Sequence, residues 1–303
     1  MKRKLTALIA AIAITASLGA CAGSGAAAPG PNATADPKNP VTVKVGVTDG
    51  SQPYWQTFIG LAKKAGIKVE LQNFTDYQQP NPILSQGGLQ LNQFQHLIFL
   101  ANYNVSAKAD LAPIGATAIY QLGLYTAKGY KKPADIPDGG AVAIPNDATN
   151  QARALLELQS AKLITLKNGG NALSSPAEIV AAKSRVKVVP VDANQTTVQL
   201  KSVDAAVINN NFAADAGINP TTAIYSDLKD TKAAEPYINV WVAPAKDKNN
   251  PVYAQLVKIY HQAEVINGLL AESKGTAVEQ DKTPAELQKI LAGLEDDVRA
   301  AKN

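Results

Sequence analysis

The stretch Ala141 to Leu158, AVAIPNDATNQARALLEL, places a cation close to a helix start. Ala141-Val142-Ala143-Ile144 reads as a short apolar strand that Pro145 ends. Asn146-Asp147-Ala148-Thr149 is turn and cap chemistry, and a helix follows with Ala152, Leu155, Leu156 and Leu158 available for burial. Asp147 or Thr149 can accept hydrogen bonds from the free N–H groups of the first turn. Such a start is also an anion site, because its unpaired N–H groups and the helix dipole both point outward. Arg153 falls in the first or second turn, where a cation is slightly unfavourable unless an anion offsets it. Two anions are open. One is Glu157, four residues on, in a surface pair worth about 0.2–0.5 kcal/mol. The other is a ligand carboxylate held by the guanidinium fork.

The remaining reactive groups do not assemble into a catalytic pattern. His96 and His261 are the only histidines and have no metal-ligand spacing. Cys21 is the only cysteine, so no intrachain disulfide can form. The chain has no Gly-x-Ser-x-Gly, no P-loop and no dinucleotide fingerprint. Glu295-Asp296-Asp297 lies on a terminal helix and reads as solvated. An enzyme is therefore the disfavoured class, and neither a cofactor nor a metal is expected.

The elements that must position Arg153 alternate. Strands are expected at Val41–Val47, Ile67–Leu71, Leu89–Leu91, Leu111–Ile119, Leu122–Ala127, Val186–Val191, Ala205–Asn209 and Ile238–Val242, with an edge strand at Leu163–Leu166. Helices are expected at Tyr54–Lys64, Ile83–Gln86, Phe94–Tyr103, Pro176–Ala182, Thr196–Leu200 and Asn210–Ala216. Two long amphipathic helices follow, Pro251–Leu270 and Pro284–Ala300, each with proline at its first turn. Alternation of this kind predicts an α/β fold with parallel sheets flanked by helices. The length of the body exceeds one comfortable core and predicts two lobes. The C-terminal helices have no following strands and are expected to pack back onto the first lobe.

The chain has 303 residues, 46% hydrophobic and 18% charged, an ordinary globular balance. Met1-Lys2-Arg3-Lys4 is a positive n-region, and Leu5 to Leu18 is an apolar run too short for a comfortable membrane span. Leu18-Gly19-Ala20-Cys21 resembles a bacterial lipobox. Residues 1–20 are thus read as a lipoprotein signal peptide, with cleavage before Cys21 and lipidation of its thiol. Residues 21–40 are rich in Ala, Gly, Pro and Asn and read as a flexible tether. Three of the four net positive charges are Lys2, Arg3 and Lys4, so the remainder carries about +1. A nucleic-acid partner would need far more. An exported two-lobed α/β body on a tether is the usual build of a solute-binding protein, whose ligand lies in the cleft between the lobes.

The body resembles the NlpA-type methionine-binding lipoproteins of ABC importers. The resemblance runs through VGVTDG (Val45 to Gly50), DYQQPN (Asp76 to Asn81), NQFQH (Asn92 to His96), and GLYTAKGYKKPADIPDG (Gly123 to Gly139). It continues through IPNDATNQARALLELQ (Ile144 to Gln159), DAAVINNNFAADAG (Asp204 to Gly217) and PYINVWV (Pro236 to Val242). It implies a type II periplasmic-binding-protein fold whose chain crosses twice between lobes, with 41–119 plus 239–303 as lobe 1 and 120–238 as lobe 2. It also implies an amino-acid ligand, methionine first, and an ABC permease and ATPase as partners. The protein would be lipid-anchored at the outer face of the bacterial cell membrane, or at a membrane facing the periplasm.

The resemblance assigns roles by motif. Arg153 would pair with the ligand α-carboxylate, and Asn209, Asn211 and Asn239 would hydrogen-bond the zwitterionic end. Tyr77, Phe94, His96 and Phe99 would wall the thioether, because aromatic rings suit a polarisable sulfur. Taken singly, the two phenylalanines read as core, His96 as a packing residue and Asn211 as a helix cap. The chain departs from the family at Gly50-Ser51-Gln52-Pro53, Gln90, Leu97-Ile98 before Phe99, and Gln121-Leu122. These departures bear on side-chain specificity more than on the carboxylate clamp. A methionine-containing dipeptide, another apolar amino acid, or a different small carboxylate stays open as ligand. So does an adhesin that keeps the fold.

Overall fold

A computed structural model describes residues 29–30, 33–227 and 234–302. Cys21, the signal peptide and the start of the tether lie outside the described residues. In chain order the first elements are β1 (Val41–Val47), α1 (Tyr54–Lys64), β2 (Ile67–Asn73), α2 (Pro80–Ser85), β3 (Leu91–His96), α3 (Leu97–Ala107) and β4 (Leu111–Ala116). Then come β5 (Ala118–Tyr120), β6 (Gly123–Tyr125), β7 (Ala141–Pro145), α4 (Ala148–Ser160), β8 (Lys187–Val191), α5 (Thr196–Gln199), β9 (Ala205–Ile208), α6 (Asn210–Asp215) and β10 (Tyr225–Ser226). The chain closes with β11 (Asn239–Pro244), α7 (Pro251–Tyr260), α8 (Ala263–Ser273), β12 (Ala277–Glu279) and α9 (Pro284–Lys302).

Two five-stranded sheets result, ordered β2-β1-β3-β11-β4 and β10-β6-β9-β7-β8. In the first, β1 runs parallel to β2 and β3, and β11 returns antiparallel between β3 and β4. In the second, β7 runs parallel to β8 and β9, with β6 antiparallel to β9. The chain leaves the first sheet after Ala116 and re-enters it at Asn239, so it crosses twice. This is the type II periplasmic-binding-protein fold, two lobes with a cleft between them.

Each lobe buries its own core. In the first, Trp55 and Phe58 of α1 meet Trp241 of β11 and Tyr260 of α7, with ring centroids 5.4–6.0 Å apart. Edge and tilted contacts at this range add to simple area burial. In the second, Val142, Ile144, Leu155, Leu158 and Val207 are fully buried. The C-terminal helices do pack on the first lobe, α7 and α8 against α1 and α9 against α3 and β4.

The differences from the expected elements have physical causes. Leu91–His96 is one central strand, and the helix begins only at Leu97, not at Phe94. Its polar residues hid it, yet they are buried because amides satisfy each other. Asn81 Nδ2 donates to Gln95 Oε1 at 2.7 Å, and Asn92 Nδ2 donates to Asn81 Oδ1 at 2.9 Å. The expected helix at Pro176–Ala182 is two single 3₁₀ turns, and Leu163–Leu166 contributes only a bridge from Leu166 to Ile179. The expected long helix from Pro251 breaks at Gln262, whose extended backbone (ψ 143°) divides α7 from α8. A short strand, β12, does follow α8 and pairs with β5. Part of the stretch read as tether lies on the first lobe. Ala33 and Ala35 pack against its core, and Asn250 Nδ2 donates to the Pro29 carbonyl at 2.9 Å. Gly66 makes room for that segment: a Cβ there would sit 2.3 Å from the Asp36 backbone, and its φ of +81° favours glycine as well.

Candidate functional site

The β7–α4 unit forms as its sequence dictates, but the helix start is already filled. Asp147 caps α4, its Oδ1 accepting the Asn150 N–H at 3.0 Å. The cap offsets the first-turn N–H groups that made this end an anion site. Arg153 is buried, and neither Glu157 nor the helix start explains its place. Its Nε donates to Asp227 Oδ2 at 2.6 Å and its Nη2 to the Tyr120 carbonyl at 2.7 Å. The guanidinium carbon lies 4.3 Å from the centroid of the Tyr237 ring, within cation–π range. These partners belong to the two segments that cross between the lobes. The surface pair with Glu157 does not form: Glu157 is 2% exposed and its carboxyl has no hydrogen-bond partner among the described residues. Burial, then the Asp227 charge, push that carboxyl well above the ordinary range, against the pull of Arg153. Burial therefore favours the protonated form of Glu157.

Arg153, Asn209, Asn211, Asn239, Tyr77, Phe94, His96 and Phe99 all line one cavity, whose free space is about 580 Å³ with its mouth included. Phe94 and His96 come from β3, Phe99 from α3, Tyr77 from the turn before α2, Asn209 and Asn211 from the start of α6, and Asn239 from the start of β11. The rings form one wall. Phe94 and Phe99 stand 5.7 Å apart edge to face, Tyr77 is 6.1 Å from Phe94, and His96 is 6.1 Å from Phe99.

His96 Nδ1 accepts the Phe99 backbone N–H at 3.2 Å and so caps α3. That fixes the neutral ring's proton on Nε2, which faces Asn150 Oδ1 at 3.3 Å. Burial, then the nearby Arg153 charge, push the His96 pKa down to about 3. Asn150 Oδ1 also accepts from Asn209 Nδ2 at 2.9 Å, so one amide links the histidine of the first lobe to the second. The Tyr77 hydroxyl donates to Asn211 Oδ1, and Asn211 Nδ2 donates to the Thr48 carbonyl at 3.3 Å, again across the cleft. Asn209 Oδ1 is buried without a partner among the described residues.

Asn150, Asp49, Tyr120 and Gln121 also line the cavity and escaped the reading by residue type. Asn150 lies three residues before Arg153, on one helix face with it, and that spacing could have revealed it. Of the departures from the family pattern, Gln121 lines the cavity and donates to the Pro220 carbonyl at 2.9 Å. Gln90 instead accepts from the Lys44 backbone at 2.8 Å and stays out of the lining. Ser51 reaches across the cleft to Asp215 at 3.0 Å. No group of acids, histidines and cysteines able to hold a metal occurs among the described residues. The cavity presents one guanidinium, a neutral imidazole, several amides and an aromatic wall. Its chemistry is recognition of a small molecule with a carboxylate at one end and apolar surface at the other.

A family model described as NlpA lipoprotein matches residues 43–280. Outer membrane lipoprotein 2 of Mannheimia haemolytica is 35% identical over 275 residues, covering 90% of this chain and 96% of that protein. The D-methionine-binding lipoprotein MetQ of Salmonella typhi is 34% identical over 248 residues, covering 80% of this chain and 90% of that one. A nutrient-binding protein from Burkholderia cenocepacia, solved bound to methionine, superposes with a TM-score of 0.70 at 35% identity, covering 78% of this chain and 99% of the other.

Proposed function

The chain belongs to the NlpA lipoprotein family, and from that premise we propose that it is a lipid-anchored solute-binding protein which captures an amino acid, methionine first, for an ABC importer. The observation that carries the reading is the gathering of Arg153, three asparagines and four aromatic or imidazole rings around one cavity. Arg153 receives the α-carboxylate while Asp227 keeps its Nε. A guanidinium has five N–H donors and can serve two carboxylates on different edges. Asn209, Asn211 and Asn239 serve the polar end, and Asn209 Oδ1 is an acceptor still unfilled. Tyr77, Phe94, His96 and Phe99 enclose the side chain. The work is binding and delivery, not catalysis.

Lobe 1 comprises 41–119 and 239–303 and lobe 2 comprises 120–238, and they close on the ligand by hinge motion at the two crossings. The partners are the permease and ATPase of a methionine-type importer. Export by the 1–20 signal and lipidation of Cys21 keep the body at the outer face of the bacterial cell membrane, or at a membrane facing the periplasm. Among the described residues no helix is long and apolar enough to cross a membrane, so in this reading the lipid is the anchor.

The test is calorimetry on the body from Cys21 onward, stripped of ligand by partial unfolding and refolded, with L-methionine as titrant. Heat of binding is expected. Heat with another amino acid or a methionine dipeptide, and none with methionine, would move the substrate and keep the class. No binding to any of them would favour an adhesin on the same fold.

A further inference from the structure

A second cavity, with about 800 Å³ of free space including its mouth, adjoins the first. Asp49, Tyr120, Asn210 and Asn211 line both. Among the residues lining the first cavity, Asp49 is the only carboxylate and Arg153 the only guanidinium.

Asp49 is held as a fixed acceptor. Its Oδ2 accepts the Tyr54 hydroxyl at 2.5 Å and its Oδ1 accepts the Trp55 indole N–H at 3.0 Å. An indole N–H only donates, so Oδ1 must accept. Both donors sit in the first turn of α1 and are buried, so the carboxylate stands on a rigid base. An ionised carboxylate has about four acceptor positions, and these two donors do not fill them. No cation offsets it: Asp49 forms no ion pair among the described residues, and Lys274, on the rim of the second cavity, is exposed and unpaired with it. Burial pushes the carboxyl up and the Asp215 charge adds to that, so an arriving cation would relieve both.

Tyr120 connects this acid to the base. Its carbonyl holds Arg153 Nη2 at 2.7 Å, and burial, then the Asp49 charge, raise the pKa of its phenol. One residue thus has a fixed cation at its backbone and a fixed anion near its ring. An α-amino acid carries a carboxylate and an ammonium group on one carbon. Amides can hydrogen-bond an ammonium group, but only a carboxylate offsets its charge where water is scarce.

We propose that Asp49 receives the ammonium group of the ligand bound at Arg153, and so selects zwitterions over plain carboxylic acids. The inference rests on the amino-acid-binding reading above. The test compares L-methionine with its des-amino analogue, 4-(methylthio)butanoate, by calorimetry on the wild-type body, on Asp49→Asn and on Asp49→Ser. Asp49→Asn is expected to weaken methionine about 10- to 100-fold and to leave the analogue within about threefold. Asp49→Ser, which removes the charge with a smaller side chain, should show the same collapse of the ratio. Binding of the analogue certifies that each variant is folded. Equal losses of both ligands, or an unchanged ratio in both variants, would overturn the assignment of Asp49 while leaving amino-acid binding intact. Failure of the wild-type body to bind any amino acid would overturn both readings.

Discussion

The two ends of the cavity are built on different rules. Around Arg153 most groups are tied down by directional bonds: Asp227 and the Tyr120 carbonyl hold the guanidinium, and Asn150 joins His96 to Asn209, while Tyr237 covers the guanidinium with its ring. The wall of Phe94, Phe99 and Tyr77 is held by packing, with the Tyr77 hydroxyl bonded to Asn211. Directional bonds fix one geometry, and a lost partner leaves a buried polar group at full cost. Packed rings tolerate changes of shape that conserve volume. On the proposed reading the first end would set which functional group is accepted, and the second which side chain fits.

The largest expected effect is that of Arg153→Ala. It should weaken any α-carboxylate ligand by about 2–5 kcal/mol, the range for a charge-assisted pair in a desolvated site. Arg153→Lys keeps the charge and loses the planar fork that holds Asp227 and Tyr120 together, so it should recover only part of the loss. Calorimetry with methionine reads both. An affinity unchanged by Arg153→Ala would mean that the polar end is built only to join the crossing segments.

A smaller effect should sharpen the comparison at the other end. Phe94→Ala removes one ring from the wall and is expected to cost methionine about 1–2 kcal/mol, through lost ring and sulfur contacts. Alanine as ligand, which has no side chain long enough to use that ring, should lose much less. Competition binding of the two amino acids to wild type and Phe94→Ala gives the difference directly. Equal losses would show that the ring supports the fold rather than the choice of side chain.

How much could be read beforehand follows the same division. The β7–α4 unit was legible because Pro145, Asp147 and the leucine spacing are local signals, and the helix and its cap form where they point. The partner of Arg153 was not. Asp227 lies 74 residues away in sequence, and only the return crossing brings it near. Glu157 sits at surface-pair spacing, yet burial on the inner face of α4 overrides the pairing. β3 reads poorly from sequence because Asn92, Gln93 and Gln95 look solvated by type, and only the amide network with Asn81, with Thr117 serving Gln93, explains their burial. Arg153 stands out by its place at the helix start; the other seven candidate site residues come by family motif, and residue type alone would have sent about half of the eight to the core or to helix caps. Asp49 draws no role from sequence because its donors, Tyr54 and Trp55, follow in a helix whose orientation the sequence does not state.

The last effect is on stability rather than on affinity, and concerns how the polar end balances its charge. Glu157 is buried beside Arg153 and Asp227, and its folded-state carboxyl is raised well above 4.5. Between those two values the unfolded chain releases a proton that the folded protein keeps, so stability falls as pH rises through the window. Glu157→Gln removes this term. Relative to wild type the variant should gain stability as pH rises above 4.5 and match its pH dependence below pH 4, read as the difference between their thermal melting curves. His96 acts on the acid side of both proteins: its folded pKa of about 3 against 6.5 unfolded makes stability fall as pH drops from 6.5 toward 3, so it cancels in the difference. Parallel curves at all pH values would mean that Glu157 is ionised in the folded state. That outcome would matter for binding, because Arg153 would then face two carboxylates before any ligand arrived. With Glu157 neutral, Arg153 and Asp227 cancel, and a ligand carboxylate enters a region of zero formal charge instead of one that already repels it.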